Sequence, residues 1–316
     1  MKYRFKSYIS GTAMGILSIN LPLIFIVVAS CSTQQEAYPP PERYSMKQVS
    51  VKGTTISYIE QGKGNPIVLV HGIPTSSFLW RDMIEELSAH GRVIALDLPG
   101  FGFSDPPHDG DYGISNYARL LERFLEVLHI EQATLICHDL GGPISLTYAL
   151  RNPNKYNRLI ILDTFLHRDL PPWPLSMRMA KIRPIGEIVM WLGGESIFRA
   201  GLEGGVIDKS RISEGIVERY YMHDGHPDKL NRAMLGTLRI DYMQDLEFIE
   251  KNLKTIHKPT LILWAEEDAY LPISLGIRIH KDIKGSQMKR IPNCGHFIQE
   301  DQPELATKII VAFLRN

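Results

Sequence analysis

The stretch ATLICHDLGG, from Ala133 to Gly142, decides how this sequence folds. Its first half, Ala133 to Cys137, is a short apolar run of the kind that forms a strand buried on both faces of a parallel sheet. Its second half turns through His138-Asp139-Leu140 into Gly141, Gly142 and a helical stretch that reaches Arg151. A strand that turns sharply into a helix, with small residues two positions either side of the turn's centre, is the setting of a nucleophile elbow. There a strained backbone holds the central side chain out at the top of the sheet. The central residue is Asp139, in the place usually held by Ser. An Asp after a strand also serves as a plain helix N-cap, so the reading needs partners elsewhere in the chain.

Outward from the elbow, strand-like and helix-like segments alternate. Pro66 to His71, Val93 to Asp97, Leu159 to Asp163 and Thr260 to Trp264 repeat the short apolar run. Helical periodicity fills Phe78 to His90, Ile114 to His129 (opened by Ser115) and Gly142 to Arg151. Gln48 to Val51 and Thr54 to Gln61 read as a hairpin with Gly53 near its turn. This alternation specifies a doubly wound α/β sheet. It breaks between Phe165 and about Asp245, where Met-rich and aromatic-rich helical segments are punctuated by Pro171-Pro172, Pro174, Gly193-Gly194 and Gly204-Gly205. We read residues 165–245 as a helical cap inserted into a core made of residues 47–164 and 246–316, because the last strand, Gln287 to Ile291, and the helix Glu304 to Leu314 need a sheet to join.

Two partners for Asp139 follow in the chain order this topology requires, nucleophile, acid, base. Asp268 lies just past the strand ending at Trp264, with Glu266 and Glu267 as neighbouring alternatives for the acid. His296 lies past the final strand in Pro292-Asn293-Cys294-Gly295-His296. His71-Gly72-Ile73-Pro74, directly after the third strand, places Ile73 to supply one backbone N–H of an oxyanion hole, and Leu140 supplies the other. A carboxylate attacking an acyl carbonyl would form a reactive anhydride, whereas at a saturated carbon bearing a leaving group it forms a stable alkyl ester. The chemistry expected is therefore attack by Asp139 on an sp³ carbon, then hydrolysis of the ester by water that His296, oriented by Asp268, deprotonates.

The run His71 to Arg81 (HGIPTSSFLWR), the segment Asp97 to Asp105 (DLPGFGFSD) and the His138-Asp139 elbow together resemble the haloalkane dehalogenases and the related epoxide hydrolases. The resemblance spans Val51 to Leu314 and is weakest in the cap. It implies the α/β-hydrolase fold: a mostly parallel eight-stranded sheet with helices on both faces and an inserted helical cap. The dehalogenases hold the departing halide with side-chain N–H donors, commonly a Trp after the nucleophile and often an Asn in the His-Gly-x-Pro loop. Leu140 and Ile73 occupy those places here and donate nothing from their side chains. A cap tryptophan, Trp173 or Trp191, is a candidate replacement donor. The epoxide hydrolases protonate the ring oxygen with cap tyrosines, for which Tyr220, Tyr221 and Tyr242 are candidates. The alternatives are a carboxylester or lactone hydrolase, for which Ser would be expected at position 139, and a non-catalytic small-molecule binder, for which a broken triad would be expected.

Composition narrows the partners. Lys plus Arg and Asp plus Glu both number 35, so the chain offers no excess of positive charge for a polynucleotide. A small, roughly neutral organic substrate and water fit better. Three cysteines, Cys31, Cys137 and Cys294, are too few and too irregular for a disulfide framework or a zinc site, and neither structural metal nor cofactor is expected. At the N-terminus Lys2, Arg4 and Lys6 precede an uncharged stretch, Ile9 to Ala29, ending in Val28-Ala29-Ser30-Cys31. That outline is a signal peptide over residues 1–30. Small residues directly before Cys31 resemble a bacterial lipobox, which implies acylation of Cys31, a tether over residues 31–46, and a body facing outside the cytoplasm at the cell envelope. An uncleaved membrane anchor is the alternative, since the stretch is about long enough to span a bilayer.

Overall fold

The computed structural model describes residues 43–172, 175–222 and 226–315. The signal segment, Cys31 and Trp173 lie outside the described residues. Eight strands form one sheet: β1 Met46–Val51, β2 Thr54–Gln61, β3 Pro66–Val70, β4 Arg92–Leu96, β5 Ala133–Asp139, β6 Tyr156–Thr164, β7 Thr260–Ala265 and β8 Gln287–Ile291. Their order across the sheet is β1-β2-β4-β3-β5-β6-β7-β8. Only β2 runs against the rest, pairing antiparallel with β1 and β4. Every residue of β5 and of β7 is buried. Since successive side chains point to opposite faces, both faces of these strands are covered, which is why they read as unbroken apolar runs.

The helices of the first half are α1 Ile84–Ser88, α2 Ile114–Val127 and α3 Gly141–Arg151. Between β6 and β7 come α4 Leu175–Ala180, α5 Ile185–Gly204, α6 Glu214–Tyr221, α7 Pro227–Arg239 and α8 Met243–Asn252. The first four form the cap, α5 being interrupted where Gly193 leaves helical geometry (φ −142°, ψ 20°). With α8 the chain returns to the core and packs on α3. The last helices are α9 Ile273–Asp282, α10 Ile298–Asp301 and α11 Pro303–Leu314.

The expected helix Phe78 to His90 is instead a 3-10 turn, Ser77–Trp80, followed by the short α1. The apolar spacing is helical, and Leu79, Trp80, Met83, Ile84 and Leu87 are all buried. The Ser76 hydroxyl caps the turn, however, and the Ser77 amide donates to Asp97 Oδ1 at 2.7 Å, which ties the turn to the end of β4 and breaks the helix. Helix α2 begins after Gly113 and is not capped by Ser115, whose hydroxyl donates to Asp245 of α8. Helix α9 was not anticipated. It sits against β7, where a Cβ on Gly276 would lie 2.4 Å from the Trp264 ring, so glycine permits the close approach.

Because β3 and β5 to β8 run parallel, the loops that follow them open on one edge of the sheet. That edge carries Ile73, Asp139, Asp268 and His296, and the cap is inserted between β6 and β7. Ligands of open α/β sheets bind at the carboxyl ends of the strands for the same geometric reason.

Candidate active site

Asp139 ends β5 with φ at +49°, a left-handed conformation that a carboxylate residue tolerates only under constraint. The crowding around it explains its small neighbours. A Cβ on Gly141 would stand 2.2 Å from the Val70 carbonyl oxygen, and one on Gly142 would stand 1.9 Å from Thr164 Oγ1. The Thr164 hydroxyl donates to the Asp139 carbonyl at 2.5 Å, fixing the turn from β6.

The two carboxylate oxygens of Asp139 have different surroundings. Oδ1 accepts the Ile73 amide at 2.8 Å, and the Leu140 amide also donates to this carboxylate. Oδ2 lies 3.7 Å from His296 Nε2. On its other side His296 Nδ1 meets Asp268 Oδ2 at 2.8 Å. Asp268 is completely buried, and its second oxygen accepts the Tyr270 and Leu271 amides at 2.7 and 2.9 Å. The chain thus brings together Asp139, His296 and Asp268, and gives Asp268 rather than Glu266 or Glu267 the contact with the imidazole. With Nδ1–H donating to Asp268, the Nε2 lone pair faces Asp139 and the cavity.

Burial disfavours the charged imidazole of His296, but the Asp268 charge and hydrogen bond, with Asp139 behind them, outweigh it and raise the His296 pKa. Burial raises the Asp139 carboxyl, against the His296 charge and the Leu140 and Ile73 amides. Burial disfavours the charged form of two neighbours. His138 donates from Nε2 to the His296 carbonyl at 2.9 Å, and burial holds it well below the usual imidazole range. Asp163, at the end of β6, accepts the Ala265 amide at 2.9 Å on one oxygen, and its pKa is pushed well up by burial and by the charge of Asp268.

Above the carboxylate is a cavity of about 340 Å³ between core and cap. Its walls are largely apolar, with Phe165, Met177, Met190, Phe198 and Met234 among them, while Asp139, His296 and the side chains of Ile73 and Leu140 line it from the core. Among the described residues, Tyr242 is the only one of the anticipated cap candidates that lines it. Burial and the nearby Asp139 charge raise its phenol pKa, so the hydroxyl keeps its proton as a donor.

The other described candidates are elsewhere. Trp191 is 81% exposed on the outer face of α5. The Tyr220 hydroxyl donates to Glu300 Oε1 at 2.6 Å, behind the cavity wall. Tyr221 accepts from Asn231 within the cap and abuts α5 at Gly194. Helical spacing alone does not say which aromatic of a cap faces inward, and packing turned these three away. The sequence reading also missed Tyr270, whose ring meets His296 edge-on at 5.4 Å and whose hydroxyl donates to the Gly201 carbonyl of α5 at 2.7 Å. Its only sequence signal is its place two residues after Asp268. Among the described residues no cluster suited to a metal ion occurs.

The sequence profile of the alpha/beta hydrolase fold family matches residues 65–194 and 217–303. The chain is 30% identical over 282 residues to the uncharacterized hydrolase YugF of Bacillus subtilis, covering 89% of this chain and all of that one. It is 26% identical over 308 residues to epoxide hydrolase 2 of Caenorhabditis elegans, covering 89% of this chain and 83% of the relative. The crystal structure of the haloalkane dehalogenase DatA from Agrobacterium tumefaciens superposes with a TM-score of 0.77 at 26% identity, covering 87% and 97% of the two chains. With the sheet order, the elbow and these likenesses in agreement, the chain belongs to the alpha/beta hydrolase fold family, and it is similar to haloalkane dehalogenases and epoxide hydrolases within it.

Proposed function

We propose that this enzyme hydrolyses a small apolar substrate at an sp³ carbon through an ester on Asp139. The observation that carries the reading is the division of labour between the two oxygens of that carboxylate: Oδ1 accepts the Ile73 amide, while Oδ2 is turned to His296. In the first step Oδ2 attacks the carbon, and the bond to the leaving group breaks with its electron pair on that group. In the second step His296 Nε2 takes a proton from water, and the hydroxide adds to the Asp139 ester carbonyl. Negative charge gathers on Oδ1, which already accepts the Ile73 amide, with the Leu140 amide donating to the same carboxylate. Collapse expels the alkoxide, the imidazolium returns its proton to it, an alcohol departs, and the Asp139 carboxylic acid left behind loses its proton to solvent, which restores the nucleophile.

For the leaving group, we favour a strained ring oxygen, as in an epoxide, over a halide. The side chains of Ile73 and Leu140 offer only hydrocarbon to the cavity, whereas Tyr242, which also lines it, carries a phenol that keeps its proton and is the donor we assign to a developing alkoxide. The oxygen would take the Tyr242 proton and the phenolate would regain one from water.

The test is intact-protein mass spectrometry with octene oxide and bromooctane. His296→Gln should retain one covalent adduct per chain, on the peptide containing Asp139, and Asp139→Asn should form none. An adduct on another residue, or an active Asp139→Asn protein that has not deamidated, overturns the carboxylate mechanism. A clear preference for bromooctane moves the leaving group to halide and leaves the nucleophile in place.

We also propose that the enzyme is tethered to a membrane outside the cytoplasm through acylated Cys31, on the charge and hydrophobicity pattern of residues 1–31. Labelled palmitate should enter the wild type and not Cys31→Ala. Absence from both removes the lipoprotein reading.

A further inference from the structure

Three charged or polar residues of this molecule are fully buried beside the catalytic base and take no part in the chemistry above. Glu300 lies on α10, the one-turn helix that begins two residues after His296, and its side chain is 1% exposed. It receives both arms of the Arg81 guanidinium, at 2.7 and 2.5 Å, and the hydroxyl of Tyr220 from cap helix α6 at 2.6 Å. Arg81 closes the motif that begins at His71, so this carboxylate joins the oxyanion-hole loop, the base loop and the cap. Phe78 completes the cluster, with the Arg81 guanidinium 4.3 Å from its ring centroid and Tyr220 edge-on at 5.1 Å.

The adjacent Asp301 makes a second junction. Its Oδ2 accepts the Gly295 amide at 2.8 Å and the Ile207 amide at 2.9 Å, and its Oδ1 accepts the Asp208 amide at 3.3 Å. One carboxylate therefore spans the residue before the base and the turn that leaves cap helix α5. The Phe297 amide donates to the Gly205 carbonyl of the same turn at 3.0 Å. There is no room for slack, since a Cβ on Gly295 would lie 2.5 Å from that carbonyl oxygen. Phe297 is thus bonded to the cap directly and Gly295 through Asp301, while the Nδ1 of the His296 ring is bonded to the core through Asp268.

We infer that Tyr220, Glu300 and Asp301 are positioning residues that make the seat of the base depend on the cap, so that cap docking governs hydrolysis of the ester and not its formation. This rests on the two-step reading given above. Attack by Asp139 uses its own carboxylate, the Ile73 and Leu140 amides and, for an epoxide, the Tyr242 phenol, which precedes the core-packed helix α8; none of these is a member of the Glu300 or Asp301 junction. Proton removal from water requires His296 Nε2 at a fixed angle and distance, and displacement of a catalytic group by about 1 Å costs on the order of 10² in rate. A merely stabilising cluster would lower both steps together through the fraction of folded enzyme.

The experiment compares Tyr220→Phe with the wild type and His296→Gln, using octene oxide, rapid quench and intact-mass detection, with hydrogen exchange in parallel. Tyr220→Phe should form the ester at the wild-type rate and hydrolyse it on the order of tenfold more slowly, so that adduct accumulates during turnover. Exchange at the Gly295 and Phe297 amides should quicken while the strands of the sheet stay protected. Asp301→Asn, which keeps one acceptor oxygen, should give the same split if the Tyr220 change proves too mild. Equal slowing of both steps, or unaltered hydrolysis together with unaltered exchange, overturns the inference. If His296→Gln forms no adduct, the ester mechanism fails, and the exchange data still decide whether the cap seats the base loop.

Discussion

Replacing Asp268 by Asn tests the least visible part of the mechanism. The side chain keeps its shape, and one oxygen can still accept the Tyr270 and Leu271 amides now at 2.7 and 2.9 Å. The amide nitrogen must then face His296 Nδ1, where a carboxylate oxygen stood at 2.8 Å. Two donors cannot share that contact, so the imidazole shifts its proton to Nε2 and presents N–H, not a lone pair, to the water. The same tautomer reversal in a Ser-His-Asp triad costs about 10⁴ in rate, or about 5 kcal/mol of barrier. Here the whole loss should fall on ester hydrolysis, because attack by Asp139 does not use the imidazole. Rapid-quench mass spectrometry should therefore show a normal burst of adduct followed by a turnover slower by about that factor. Asp268→Ala is the poorer probe: it leaves two buried amides without an acceptor, at about 1–3 kcal/mol each, so stability falls with activity. An Asp268→Asn enzyme that hydrolyses its ester at the wild-type rate, or one that cannot form it, refutes the assignment.

The two steps should also separate by pH. Ester formation needs ionised Asp139 and should fall as pH drops through a value above the ordinary carboxylate range, because burial raises that pKa. Hydrolysis needs neutral His296 and should fall as pH drops through that group's pKa. Esterification removes the Asp139 charge that helps to raise it, so the hydrolysis limb, read by single-turnover decay, should lie at lower pH than direct titration of His296 in the free enzyme by NMR. Gly72→Ala places a Cβ 2.2 Å from Asp139 Oδ1, so the carboxylate must move. Ester formation should slow by on the order of 10² with circular dichroism little changed; unimpaired bursts would show that the carboxylate needs no fixed seat. Tyr242→Phe should slow opening of octene oxide by on the order of 10² to 10³ and leave decay of a preformed ester unchanged; intact epoxide turnover would exclude the phenol as donor. Burial pushes the Cys137 thiol up to about 12 and raises Cys294 as well. Neither should react with iodoacetamide at neutral pH until denaturant is added, as peptide mapping would show.

The elbow and its partners were legible because their chemistry is tied to strand ends. A parallel strand buried on both faces writes an apolar run, as β5 and β7 do, and the loop after a parallel strand falls on the edge where ligands bind; Asp139 ends β5, Asp268 lies three residues past β7 and His296 five past β8. Helix α9 was not legible. Ile273, Leu275, Ile277 and Ile279 alternate with other residues, the pattern of a strand, yet the buried positions are Leu275, Gly276 and Ile279 while Ile277 is 44% exposed. The cap tyrosines were readable as aromatics but not as to direction. Tyr220 and Tyr221 are neighbours on α6 and Tyr242 precedes α8, and the contacts they make, with Glu300, Asn231 and the Asp139 charge respectively, lie outside their own helices. Glu300 and Asp301 carry no local signal, since acidic residues near a helix start are ordinary capping features.

The grip of the Ile73 amide on one oxygen of Asp139 has a consequence for the origin of the product's atoms. In the mechanism proposed, the oxygen that attacks the substrate leaves with it, and the bond broken in the second step is the one between that oxygen and the carboxyl carbon. Water's oxygen therefore enters the enzyme. It arrives from the side of His296, while the amide-held oxygen stays pinned, so the newcomer takes the attacking position and departs with the following substrate molecule. Each product then carries an atom acquired one cycle earlier, and an enzyme moved into isotopically heavy water should release its first product light and its later ones heavy. A carboxylate free to rotate would blur that single-cycle memory.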